Sequence, residues 1–175
     1  MGEQVSSADF WEIKVRSEQP SRDDARLGQG LYWQDMHVGA AFRTFTRTLT
    51  ETDLVAFVTL TGMVDSAFLD ATLTGPMGRR PVPGALTYSV VEGFIIQSLI
   101  RGTGIAMLNC AQEALAPVHV GDTIEAVVEL VAVRPTSTGN RAIVDSSITV
   151  FNQQAIPVLR YTSRRMIAGR PEGME

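Results

Sequence analysis

The sequence predicts a single α+β domain in which an antiparallel sheet wraps around one long central helix. Four β-type runs follow one another towards the C-terminus, separated by short turns, and consecutive strands joined in this way pair antiparallel. A long apolar segment, residues 85–100, comes directly before them and has helical periodicity. The 175 residues are enough for one domain with a real core.

The central helix is expected to be largely buried, because apolar residues cover most of its circumference. Leu86, Val90 and Phe94 lie on one stripe, with Val91 and Ile95 beside it. The four β-type runs are residues 105–115, 123–133, 141–151 and 158–166. A helix followed by such a sheet favours packing of the sheet around the helix.

The first part of the chain divides into a tail and the start of the domain. Residues 1–27 are polar and mixed in charge, and we expect a lead-in there to one domain over residues 28–175. Residues 41–49 alternate as a β-strand does. Thr50 is expected to be the N-cap of a short helix, with Asp53 completing a capping-box pair and Gly62 ending it.

Composition narrows the possible partners and the compartment. The chain is 45% hydrophobic and only 19% charged, which favours apolar surface covered by a second copy, in a homodimer or higher homo-oligomer. A net charge of −4 without a basic run makes a nucleic-acid partner unexpected. Glu92 and Gln97 interrupt the longest apolar run, so no membrane association is expected. The lone Cys110 and the absence of an apolar leader favour a cytoplasmic protein.

Several motifs occur in an order and spacing that are together specific. They are YWQDMHVG at 32–39, TLTETD at 48–53, LTG at 60–62, APVHVGDT at 116–123 and FNQ at 151–153. On these motifs the chain, from about residue 30 to 167, resembles the MaoC-like dehydratases, the (R)-specific enoyl-thioester hydratase branch of the hotdog fold. The resemblance implies a hotdog fold, a lyase-type scaffold and a thioester ligand carried by coenzyme A or acyl-carrier protein.

The catalytic segment departs from the family pattern at its proton-handling positions. In the family it reads Gly-Asp-x-Asn-Pro-x-His-x-Asp, and the first Asp and the His activate a water. Gly62 and Asp70 match this pattern, but Met63 replaces the Asp and Phe68 replaces the His. Acid–base catalysis needs a titratable group at each transfer point. Ordinary hydration is therefore not expected.

Other parts of the family site are retained. Pro83-Gly84 stands where the family has His-Gly before the central helix, and the resemblance implies that the backbone N–H of Gly84 is the oxyanion donor. A tight turn before a helix would also explain Gly84. We expect the substrate to contact Met63, Phe68, Asp70, Arg79, Arg80 and Pro83. The two arginines are within reach of a coenzyme A phosphate, or are simply solvated loop charges.

Two carboxylates are candidates for replacement catalysis. Asp65 lies two positions from the lost Asp, and Glu92 occupies the apolar central helix, where burial would make a usable base unless the carboxylate is paired. Hotdog thioesterases place an acid on this helix, which favours Glu92 by analogy. A loop cap for Asp65 and a sheet-edge or subunit-interface partner for Glu92 are the simpler interpretations. His37 and His119 are isolated in turns, so no metal site or cofactor is expected.

Three functions remain open on the sequence. The first is a MaoC-like protein that binds an acyl or enoyl thioester with altered or lost hydration. The second is a working thioesterase or atypical dehydratase that uses Asp65 or Glu92. The third is a non-catalytic subunit that completes the site of another hotdog protein.

Overall fold

The computed structural model describes residues 28–73 and 75–173. The polar lead-in expected over residues 1–27 lies outside the described residues. Within them, no helix is long and apolar enough to cross a membrane.

The central element is an antiparallel sheet of six strands. These are β1 (Ala41–Arg43), β2 (Arg47–Thr48), β3 (Gly104–Ala114), β4 (Thr123–Pro135), β5 (Arg141–Asn152) and β6 (Pro157–Ala168). Their order in the sheet is β1-β4-β5-β6-β3, and β2 also pairs with β4. The antiparallel sheet predicted from the four β-type runs is confirmed.

One face of the sheet forms the core, because buried residues alternate with more exposed ones along its strands. Along β5, every second residue from Ala142 to Val150 is buried, and β6 keeps a similar alternation from Leu159 to Ile167. Strand β3 differs, because ten of its eleven residues are exposed and Cys110 is half-buried. Within residues 28–73 and 75–173, the sheet therefore ends on this side in a long edge that pairs with no further strand.

The central helix α3 (Gly84–Gln97) packs against the buried face of the sheet. Its buried residues are Leu86, Thr87, Val90, Val91, Glu92, Phe94 and Ile95. The helix begins one residue earlier and ends three residues earlier than predicted. It ends because Ser98 leaves the helical conformation and the N–H of Ile100 reaches back to the carbonyl of Ile95 at 3.1 Å.

Helix α1 (Glu51–Thr61) has the predicted boundaries. The Asp53 N–H donates to the Thr50 hydroxyl at 3.2 Å, and the Thr50 N–H donates to the Asp53 carboxylate at 2.8 Å, which completes the capping box. Gly62 ends the helix in the left-handed conformation, with φ 72°. A four-residue helix α2 (Ser66–Leu69) follows, which the sequence pattern did not predict.

The strand predicted over residues 41–49 is divided into β1 and β2. Thr44 lies at the division, where its hydroxyl accepts the N–H of Ala126 at 2.9 Å in place of a backbone carbonyl. Its own N–H still donates to the Ala126 carbonyl at 2.9 Å. A side chain that competes with the backbone for ladder hydrogen bonds interrupts a strand in this way.

Candidate functional site

The start of α3 is open and uncapped. Pro83 occupies the N-cap position and offers no side-chain hydrogen bond, while its carbonyl accepts from the N–H groups of Leu86 at 2.9 Å and Thr87 at 3.2 Å. The N–H groups of Gly84 and Ala85 precede these and have no partner within the helix. They form the positive end of the helix dipole, where a carbonyl oxygen or an anion is stabilised.

Gly84 leaves room for a ligand to approach this helix end. A β-carbon built on Gly84 would meet no atom within 4 Å. Its backbone is also free of the positive φ that favours glycine elsewhere in the chain. Within the described residues, neither backbone conformation nor crowding requires glycine at this position.

Two cavities meet at Gly84. The first, which we call the loop cavity, has a volume of about 320 Å³ and lies between α2 and residues 75–84. The second, the strand cavity, also has a volume of about 320 Å³ and lies between α3, the end of β3 and β6. Both are lined by Met77, Val82 and Gly84.

The two cavities are almost free of titratable groups. The loop cavity is lined by Ala67, Phe68, Leu73, Gly75, Pro76, Met77, Gly78, Arg79, Pro81, Val82, Pro83 and Gly84. The strand cavity is lined by Met77, Val82, Gly84, Thr87, Ala114, Leu115, Ala116, Pro117, Val118, Val158 and Leu159. Among the residues described by the structure, Arg79 is the one titratable group in these walls, and an arginine stays protonated.

Phe68 and Met63, the two positions that the sequence motif singled out, have different surroundings. Phe68 is half-buried and lines the loop cavity. Met63 is 38% exposed and lies outside the walls of both cavities.

Asp65 and Asp70 make local turn contacts. Asp65 caps α2, accepting the Ala67 N–H at 2.8 Å, which is the loop-cap role that the sequence left open. Asp70 accepts the hydroxyl of Thr72 at 2.6 Å and its N–H at 2.8 Å, and these hydrogen bonds lower the pKa of Asp70. Both are exposed and neither lines either cavity.

Glu92 is paired. Its carboxylate accepts from the Arg165 guanidinium at 2.6 Å and from the Tyr161 hydroxyl at 2.7 Å, and Arg165 also donates to Ser163. Burial, followed by the charge of Glu92 and its hydrogen bond, raises the pKa of Tyr161. Glu92 and Arg165 line a separate cavity of about 260 Å³ towards the other end of α3. Glu92 is thus not the unpaired base that the sequence left open, because it forms an ion pair that joins α3 to β6.

The two arginines before α3 are not equivalent. Arg80 pairs with Glu51, and its side chain is only 16% exposed. Arg79 has a side chain that is 69% exposed, contacts Asp122 at 3.3 Å and lies in the wall of the loop cavity. Arg79 is therefore the arginine with donors available to an anionic group at the cavity entrance.

His119 and Asp122 fasten the loop that carries Met77. The His119 ring Nε2 lies 2.8 Å from the Met77 carbonyl oxygen, and Asp122 accepts the His119 backbone N–H at 2.8 Å. Gln153 also donates to Asp122, at 3.1 Å. Burial raises the pKa of Asp122, but these hydrogen bonds outweigh it and the pKa is lowered. The turn was recognised from the sequence, but its contact with the cavity wall was not.

Three further residues at or near the site were not identified from the sequence. Thr87 lies one turn after Gly84 in the strand cavity, and Tyr161 and Arg165 hold Glu92. The sequence of β6 could have revealed Arg165. It lies an even number of positions from Tyr161 and Ile167, so its side chain shares their core-facing side of the strand. Thr87 shares a helix face with Gly84 by its spacing of three residues.

Comparisons with known proteins place this geometry in a fold family. No family model matches the chain, and no curated protein matches it by sequence. A MaoC-like dehydratase from Rhodospirillum rubrum is 22% identical with a TM-score of 0.73, covering 81% of this chain and 99% of that one. (R)-Hydratase PhaJ1 from Pseudomonas aeruginosa is 24% identical with a TM-score of 0.70, covering 84% and 94%.

A third solved structure adds the name of the fold. It is a Mycobacterium tuberculosis protein with a double hotdog fold, 20% identical with a TM-score of 0.70. The match covers 86% of this chain and 48% of that protein, so this chain spans about half its length. The chain has the hotdog fold of the MaoC-like dehydratases, as its sequence motifs predict.

Proposed function

We propose that this protein binds an acyl or enoyl thioester, carried by coenzyme A or acyl-carrier protein, without hydrating it by the family mechanism. The observation that carries the proposal is the open, uncapped start of α3 at Gly84, where two apolar cavities meet. A thioester carbonyl bound to the free N–H groups there would direct its acyl chain into apolar space. The likeness to solved hydratases of the same fold supports this class of ligand.

Among the described residues, the cavity walls hold no acid–base pair, which supports binding without hydration. Hydration needs one group to take a proton from water and another to deliver a proton to carbon. Arg79 cannot act as the base at neutral pH. Asp65 caps a helix and Glu92 is engaged by Arg165, so no observation favours the thioesterase that the sequence left open.

Arg79 is the proposed contact for the anionic part of the carrier. It is exposed at the entrance of the loop cavity, and a phosphate would compete with its long contact to Asp122 at 3.3 Å. Arg80 is committed to Glu51. The shared chemistry of coenzyme A and the acyl-carrier protein arm is a phosphopantetheine, which either carrier would present here.

A homodimer is the proposed assembly. In the part of the chain that the structure describes, the outer side of the eleven-residue strand β3 pairs with no other strand, and Ile105, Met107 and Leu108 are exposed along β3. Long exposed edge strands with apolar side chains are sites of pairing with another strand. A second copy of this chain supplies a strand of the same length and composition.

Butyryl-CoA binding by two glycine variants tests the proposed site. Gly84→Ala should weaken binding at least tenfold while keeping the melting temperature, because the new methyl meets only open space where the carbonyl must approach. Gly93→Ala is the matched control, since a β-carbon there lies 4.0 Å from Gln97 and the residue lines neither cavity. It should bind as wild type and gain roughly 0.5–1 kcal/mol of stability.

The same titration has outcomes that overturn the proposal. If wild type does not bind butyryl-CoA, or if Gly84→Ala binds it as tightly as wild type, the helix start is not the thioester site. Crotonyl-CoA is measured in parallel by the loss of its enoyl absorbance. Hydration at a rate typical of enzymes would contradict the expected lack of hydratase activity.

A further inference from the structure

The hydroxyl of Thr87 lacks a hydrogen-bond partner in the interior of the protein. Of the buried side-chain polar atoms in the described residues, three lack a partner: Thr87 Oγ1, Thr103 Oγ1 and Arg141 Nε. Thr87 is only 1% exposed. Buried polar groups are almost always paired, and an exception calls for an explanation.

Three other hydroxyls in or next to the helices bond back to the carbonyl four residues earlier. Thr61 donates to the carbonyl four residues earlier at 2.7 Å, as do Ser89 at 2.7 Å and Ser98 at 2.5 Å. The corresponding carbonyl for Thr87 is that of Pro83, which already accepts two backbone N–H groups. The Thr87 hydroxyl is thus left without the local bond that a helix normally supplies.

The position of Thr87 connects this hydroxyl to the proposed ligand site. Side chains on a helix lean towards its N-terminus, so a residue covers the turn before its own Cα. For Thr87 that turn begins at Gly84, and both residues line the strand cavity. Within the described part of the chain, every other side chain in that wall is apolar.

We propose that Thr87 is a ligand-binding residue whose hydroxyl donates a second hydrogen bond to the carbonyl oxygen held at the start of α3. The inference rests on the proposed function and goes one step further, because it names a side-chain donor beside the backbone one. Two donors converging on one oxygen, inside an apolar wall, fix the direction in which the thioester enters. On this proposal, the hydroxyl has no partner in the ligand-free protein because its partner is the ligand.

The proposal predicts opposite effects on stability and on binding. Valine has nearly the shape of threonine without the hydroxyl, so Thr87→Val removes an unpaired buried group and should leave the melting temperature unchanged or higher. The same variant should bind butyryl-CoA about tenfold more weakly, since one hydrogen bond to the ligand is lost. A residue with a purely structural role would not separate the two readouts.

Thr103→Val is the matched control. Thr103 is also 1% exposed and its hydroxyl is also unpaired, yet it lines neither the loop cavity nor the strand cavity. This variant should match Thr87→Val in its effect on the melting temperature and should bind butyryl-CoA as wild type does. Thr87→Ser, which keeps the hydroxyl, should retain affinity within about threefold of wild type.

A thioether analogue of butyryl-CoA, which lacks the carbonyl oxygen, identifies the bonded atom. Isothermal titration of the full-length protein should show that Thr87→Val weakens the thioester and leaves the affinity for the thioether unchanged. The proposal is overturned if Thr87→Val binds the thioester as wild type, or if both ligands weaken equally. Failure of the proposed function differs from both, because wild type itself would then not bind the thioester.

Discussion

Asp145 shows how single charged residues stabilise the outer face of the sheet. It lies on β5 between Arg134 of β4 and Arg164 of β6, with contacts of 2.6 Å and 2.7 Å. The hydrogen bond from Arg164, helped by Arg134, lowers the pKa of Asp145 from 3.8 to about 2. One carboxylate therefore bridges three adjacent strands.

The pKa of Asp145 predicts a specific acid sensitivity. The folded state holds the proton less tightly than the unfolded state, so the contribution is present above pH 3.8 and is lost as the pH falls towards 2. Because the group is near the surface, the contribution is about 1 kcal/mol after solvent screening. Asp145→Asn should be less stable than wild type by this amount at neutral pH, and the difference should disappear only below pH 2.

Urea unfolding at a series of pH values measures this difference directly. The control is Asp65→Asn, whose carboxylate accepts the Ala67 N–H within its own turn and joins no strands. A gap between wild type and Asp145→Asn that stays constant down to the lowest pH would show that the bridge does not depend on the charge of the carboxylate.

At the residue scale, the sequence predicted the positions of residues within local motifs better than it predicted long-range side-chain contacts. The spacing of the motifs predicted that Met63 and Phe68 stand at proton-handling positions and that Gly84 lies at the start of α3, and the structure confirms that α3 begins at Gly84. Whether Glu92 is free or paired depends on Arg165, which lies 73 residues away. Such a contact depends on tertiary packing, which short-range periodicity does not encode.

The Glu92–Arg165 ion pair links α3 to β6. Glu92→Gln should lower the free energy of unfolding by about 3 kcal/mol, because the buried guanidinium of Arg165 loses its counter-charge. The double change Glu92→Leu with Arg165→Met should recover most of that loss, since two apolar side chains replace two charges. Chemical denaturation of the three proteins provides the comparison.

The opposite result would restore a catalytic role for Glu92. If Glu92→Gln were as stable as wild type and wild type alone released thiol from butyryl-CoA, the carboxylate would be the base of a thioesterase. Wild-type activity in that assay also has to be distinguished from spontaneous hydrolysis, for which heat-unfolded protein is the blank.

At the element scale, boundaries marked by caps and turns were predictable. The capping box of Thr50 and Asp53 and the left-handed Gly62 fixed both ends of α1, because these signals act within one turn of the chain. The interruption at Thr44 was not predictable from alternation. It depends on a hydrogen bond to Ala126 across the sheet, 82 residues away.

The free edge of β3 leads to a prediction for the whole molecule. Leu108 and Val131 are both extra residues at β-bulges and are 47% and 52% exposed, but Leu108 is on the edge strand and Val131 on the interior strand β4. Leu108→Lys should convert a dimer to a monomer, because it adds a charge to an apolar contact on both copies. Val131→Lys should remain a dimer.

Light scattering on a sizing column gives the mass of each variant. A monomeric wild type, or two variants with the same mass, would rule out pairing through β3.

The position of Met77 has a consequence for how the affinity of this protein would depend on the length of a bound acyl chain. Each buried methylene of an acyl chain adds about 0.8 kcal/mol to binding for as long as apolar space continues. Met77 belongs to the walls of both cavities, and the loop that carries it is held by His119. Under the proposed function, the affinity for an acyl thioester should therefore rise with acyl-chain length. It should stop rising at the length at which the chain reaches the Met77 side chain, whose position the His119 contact fixes.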